Sequence, residues 1–262
     1  MERNLVLPQV ALGQEVVTTL VLSNMGLPQR LHWLPQPEDV ALKGTIRFFD
    51  PQGEPLTVIP EGGQATQAVA FELGAAEAVF LALSSEAPLQ TGWALIEVED
   101  GDSDWGFMDG RIPFRGERLM ATAYYTIKDG QGVLTQVGVV PATFQRGLFQ
   151  HLLMPAQFGS GLNTGVALVN VDDEPLEAEM VLRSGDGSVQ LMTSIMLQPG
   201  QQRARFIDEL FSGLEEGFQG VLEVHSDRSG LIALGLLSNQ GILTAVPTRH
   251  FGTWTQHGPM MP

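Results

Sequence analysis

The chain repeats itself, and a repeat limits what it can fold into more than any other feature does. Leu7-Pro8 followed by Thr18-Thr19-Leu20-Val21-Leu22-Ser23-Asn24 returns as Met154-Pro155 followed by Thr164-Gly165-Val166-Ala167-Leu168-Val169-Asn170. A closing segment returns too: Gly132-Val133-Leu134-Thr135-Gln136-Val137 matches Gly241-Ile242-Leu243-Thr244-Ala245-Val246. The repeating unit is roughly 110–140 residues, the size of one sandwich domain. A chain of 262 residues holds two such units.

Apolar residues alternate with polar ones, the period of a half-buried strand. In Gly92–Glu99, Ala94, Ile96 and Val98 share one face while Glu97 and Glu99 share the other; Leu222 and Val224 take the matching face in the second half. The same reading gives strands over 16–23, 44–49, 66–73, 78–83, 119–127 and 133–140, then over 165–170, 176–182, 189–197, 202–206, 231–237 and 242–246. Asp50-Pro51-Gln52-Gly53 and Ser184-Gly185-Asp186-Gly187 stand at equivalent places, and Asp129-Gly130 and Asn239-Gln240-Gly241 precede the closing segments. Glycine and asparagine tolerate the positive φ of tight reversals, so antiparallel hairpins are expected. Ile207, Leu210, Phe211 and Leu214 fall on one helical face, with Asp208 and Glu209 near the start, and predict a helix of about two turns. The fold class expected is all-β: two tandem immunoglobulin-like antiparallel β-sandwich domains with one short helix, over 1–143 and 144–262. The first is lengthened by two insertions, 27–41 and 100–118.

Composition narrows the function classes. The net charge is −16 and the only lysines are Lys43 and Lys128, a balance that repels nucleic acid and anionic lipid. With no cysteine there is no disulfide framework, zinc–thiolate site or thiol nucleophile. No run of 18 apolar residues exists, so no membrane span is expected. Met1-Glu2-Arg3-Asn4 does not read as a signal peptide, so an exported form would have had its signal removed.

The order of several short motifs resembles that of a tandem β-sandwich repeat of secreted and surface proteins of acidobacteria and related bacteria. They are Gly161-Leu162-Asn163-Thr164-Gly165-Val166-Ala167-Leu168-Val169-Asn170, Gly185-Asp186-Gly187, Pro199-Gly200, Glu209-Leu210-Phe211 and Gly220-Val221-Leu222-Glu223-Val224. The likeness covers most of the second half and the first half loosely, where Thr19 replaces the strand glycine. It implies a non-enzymatic, exported sandwich at the cell surface or outside the cell, structural or adhesive, and it brings no catalytic residue.

Motifs for catalysis are missing: there is no G-x-S-x-G elbow, no H-E-x-x-H and no phosphate-cradling G-x-x-x-x-G-K-[ST]. Gly159, Gly161 and Gly165 precede a strand, whereas a dinucleotide loop needs a helix N-terminus. His32, His151, His225, His250 and His257 show no metal-ligand spacing, and His225 aligns with Glu97 on a polar strand face. The first chemical candidate is the acidic loop around Asp100, Asp102 and Asp104, with Asp109 in reach. Alternating carboxylates can wrap calcium, though Trp105 stands where the EF-hand glycine belongs and Arg111 where its bidentate glutamate belongs. A solvated acidic loop is the alternative. Trp33 and Trp105 in the insertions, and Trp254 in the tail, are the candidate interaction residues, for protein partners, for self-association through sheet edges or tail, or for a sugar ring.

Overall fold

Short runs of valine, leucine and threonine, several closed by glycine turns, pair as antiparallel strands, and the result is an all-β sandwich fold with one short helix among the described residues. The computed structural model describes residues 4–25, 41–99, 118–129, 132–144, 149–246 and 248–251. Packing divides the chain into two compact units, Met1–Asp50 with Pro55–Phe144 and Pro51–Glu54 with Gln145–Pro262. Among the described residues no helix is long and apolar enough to cross a membrane.

In the first unit the strands are β1 (Asn4–Leu12), β2 (Val16–Asn24), β3 (Leu42–Phe49), β4 (Ile59–Pro60), β5 (Ala68–Leu73), β6 (Ala78–Ser84), β7 (Gln90–Val98), β8 (Leu119–Asp129), β9 (Gly132–Val139) and β10 (Ala142–Phe144). They form two sheets, β10-β1-β7-β3-β5 and β4-β6-β2-β8-β9. Between them lies a core that includes Leu7, Leu20, Leu22, Ile46, Phe48, Ile96 and Tyr125. The Tyr125 hydroxyl donates to the carbonyl of Gln9, and burial pushes its pKa far up.

The second unit holds β11 (Phe149–Gly159), β12 (Leu162–Asn170), β13 (Leu176–Ser184), β14 (Val189–Leu197), β15 (Gln202–Phe206), α1 (Ile207–Leu210), β16 (Phe218–Ser229), β17 (Leu231–Asn239), β18 (Ile242–Val246) and β19 (Arg249–Phe251). Its pairing follows the same diagram: β19-β11-β16-β13-β14 on one side, β15-β12-β17-β18 on the other. Among the described strands only β4 has no counterpart. One difference is local. Phe158 and Gly159 of β11 pair with Asn163 and Leu162 of β12, so the two sides run into each other at that hairpin.

The interiors match at several positions. Leu152, Met154, Val166, Leu168, Met180, Leu182, Leu222 and Val224 form the second core. Asn24 and Asn170, both fully buried, end equivalent strands, and each donates its amide to the carbonyl that ends the equivalent edge strand, Leu73 and Leu197. The hydroxyls of Thr18 and Thr164 accept the backbone N–H seven residues earlier, from Ala11 and Gln157. Gly92 and Gly220 stand at equivalent points of β7 and β16. A Cβ there would lie 2.0 Å from the Phe49 carbonyl oxygen and 1.9 Å from that of Arg183, so only glycine lets the strands approach.

Three differences from the sequence reading have physical causes. Strands β1 and β11 contain Pro8 and Pro155 and were not read from alternation. Proline is tolerated where the ladder is interrupted: β1 shifts register between Leu7 and Val10, and Pro155 lies beyond the last β11–β19 pair at Leu153. The helix is one turn, not two. Ile207 and Phe211 plug the core, and Phe211 is already extended; Gly213 at φ +85° then turns the chain away. In the first unit β5 starts at Ala68, because Thr66 bonds back to Val58 in an isolated bridge.

Candidate functional site

Alternation along β6, β2, β8 and β9 sends one set of side chains into the first core and the other set outward. The outward set is Ala78, Phe80, Ala82 and Ser84; Val17, Thr19, Val21 and Ser23; Met120, Thr122, Tyr124 and Thr126; and Leu134, Gln136 and Gly138. Register lays Phe80, Val21 and Thr122 in one row and Ala82, Thr19, Tyr124 and Gly138 in the next. None of these positions carries a charge, in a chain with 30 acidic residues; Lys128, next in the same phase at the end of β8, is charged and exposed. Phe80 is 67% exposed, and Met120 and Leu134 are also exposed. A sheet face without charge that exposes apolar side chains is a candidate contact surface.

The outward face of the opposite sheet is different: in the second unit, on β13, β16 and β11, it is built from charge. His151 and His225 are register partners, their rings edge to face at 5.8 Å between centroids. His151 Nε2 lies 2.7 Å from Glu223 Oε1, and Arg183 Nε donates to Glu223 Oε2 at 2.7 Å. His225 Nε2 lies 2.7 Å from Glu179 Oε2, while its shielded Nδ1 has no hydrogen-bond partner. The Glu223 side chain is 14% exposed. Its partial burial raises the carboxyl pKa, but the hydrogen bonds from Arg183 and His151 outweigh that and leave it below the ordinary range. Both imidazoles are therefore held by carboxylates, and the network ties three strands together. In the first unit the same face holds isolated exposed pairs, Lys43–Glu72 and Arg47–Glu97.

Of the residues singled out in the sequence, Trp33, Trp105, Trp254, Asp100, Asp102, Asp104 and Asp109 lie outside the described residues. Among the described residues no group of three or more histidine, aspartate or glutamate side chains is placed to hold a metal ion. Trp93 is buried and stacks on Phe49 at 4.3 Å between ring centroids. The histidine pair escaped the sequence reading because it depends on the register of β11 with β16. The neutral face left a signal that went unused: 16–23, 78–84, 119–127 and 133–139 carry no charge in either phase of the alternation. The chain matches no protein-family model, no curated protein and no solved structure.

Proposed function

We propose that this chain is a non-enzymatic structural or adhesive protein, a tandem duplication of an immunoglobulin-like sandwich that acts at the bacterial cell surface or outside the cell. The observation that carries the reading is the charge-free outward face centred on Phe80, Val21, Thr122 and Tyr124. A surface of net charge −16 repels most biological polyanions. A neutral sheet face is where an apolar partner can approach without desolvating ions. The duplication reading is supported by the shared pairing diagram and by the matched Asn24/Asn170 and Thr18/Thr164 hydrogen bonds.

The test uses cells of the native host carrying an epitope-tagged chain. Protease applied to intact cells should remove the tag, and Phe80→Asp should lower cell adherence several-fold with the fold intact by circular dichroism. A protected tag, or adherence that ignores the substitution, counts against the reading. The sugar-binding alternative draws on the same face, since Phe80 and Tyr124 offer ring surfaces to a pyranose. Calorimetric titration with oligosaccharides separates it: heat abolished by Tyr124→Ala favours sugar, and a flat trace favours protein contact.

A further inference from the structure

Strand β14 ends its sheet, and among the described residues no strand pairs with its outer side. It is the longest edge strand described, nine residues reading Val189-Gln190-Leu191-Met192-Thr193-Ser194-Ile195-Met196-Leu197. Edge strands are normally protected by charge, proline, a bulge or short length. β14 has no charge, no proline and no glycine; its ladder with β13 shifts register at Gln190, near its start, and is unbroken from Leu182↔Leu191 to Leu176↔Leu197. Its equivalent β5 is protected: it is shorter, and Glu72 is on it, ion-paired with Lys43. Of the other uncharged edges, β4, β10 and β18 are short, and β9 contains Gly132 and Gly138.

The hairpin that presents β14 is stiff. The Ser184 hydroxyl and the Ser188 amide both donate to Asp186, which holds that carboxyl down at about 2. Met192 and Met196 stand 67% and 54% exposed on the outward side. Leu191 and Ile195 lie at the rim of the core with part of their surface in water.

We propose that β14 pairs antiparallel with β14 of a second copy of this chain, in a register centred on Thr193. This deepens the structural reading above and rests on it. In that register Leu191 of one copy faces Ile195 of the other on the core side and Met192 faces Ser194 on the outer side, all within the regular stretch Leu191–Leu197. No charge meets a charge. The nearest carboxylates on this face, Glu177 and Glu179 of β13, would sit three strand spacings from their copies. That is about 14 Å at ~4.8 Å per strand, beyond the Debye length of about 8 Å. A second copy fits better than a charged partner because the seam is neutral and its pattern is compatible with its own reversal. The pairing is isologous, so it consumes both edges and closes at a dimer.

The test reads the mass of the full chain by light scattering at concentrations up to about 1 mM. The chain has no cysteine, so Thr193→Cys introduces a lone thiol that the register places opposite its own copy, within disulfide reach. The expected results are twice the chain mass, a covalent dimer of T193C on oxidation, no such dimer for Leu134→Cys on β9, and a return to monomer mass for Met192→Glu. Met192 is exposed, so that variant should keep its fold, which circular dichroism checks. A monomeric wild type, a dimer that T193C fails to lock, or an M192E protein that stays dimeric would each overturn the pairing. Any of these leaves surface location and Phe80-dependent adherence to be judged by their own assay.

Discussion

The two units agree inside and differ outside. Asn24 and Asn170 make the same buried bond to the end of the same edge strand, Thr18 and Thr164 accept the same backbone amide, and Gly92 and Gly220 allow the same close crossing. On the outward faces the likeness ends. The sheet face that in one unit carries the Arg47–Glu97 pair carries in the other a network of two histidines, two glutamates and an arginine. The edge strand that is short and charged in one is long and neutral in the other. Residues that close the sandwich cannot drift without leaving buried polar groups unpaired or overlapping backbone atoms. Residues facing water can, so what distinguishes the units functionally lies on faces and edges.

The largest expected effect attacks the shared interior. Gly220→Ala and Gly92→Ala each force a methyl into a carbonyl oxygen at about 2 Å. Each should cost about 3 kcal/mol or more in chemical denaturation. If only one is costly, the two crossings are not equivalent and the likeness of the interiors weakens.

A smaller step tests the buried amides. Asn24→Ala and Asn170→Ala strand the carbonyls of Leu73 and Leu197. Each should lower stability by about 2 kcal/mol, measured by the same unfolding curves. Near-zero cost in either would mean that solvent reaches the site and the bond is dispensable.

The smallest effect belongs to the surface. Glu223 is held below the usual carboxylate range when folded, so its contribution is complete above the unfolded value of about 4.3 and is lost as pH falls through the lower folded value. Glu223→Gln should cost about 1 kcal/mol at neutral pH and flatten the acid limb of the stability profile. Glu97→Gln, in the exposed pair of the first unit, should do neither to a measurable degree. Equal acid limbs for the two variants would erase the contrast between the networks.

Much of the fold was legible because side-chain period follows directly from strand geometry. Alternation over 92–99 correctly placed Ala94 and Ile96 inward, and the Ile207–Leu214 spacing found the plug, with Ile207 and Phe211 buried. Both proline-bearing strands were missed by alternation, since proline breaks the ladder that alternation assumes. Less of the surface was legible. The tryptophans and aspartates that drew attention are rare residue types in loops, and rarity says nothing about position. The neutral face and the histidine pair consist of ordinary residues made notable by their neighbours across strands.

Local chemistry alone determined the all-β class, the turn positions, the repeat of strand motifs and the inward phase of most strands. Each of these depends on residues a few positions apart. Tertiary structure decided which strand ends a sheet, that His151 lies beside His225 across more than seventy residues of chain, and that uncharged stretches of four strands share one face. The reason is that loop closure cost grows only slowly with length, so sequence separation barely constrains which strands meet. Register is then chosen by the whole packed core, and one residue of slip would turn every face inside out.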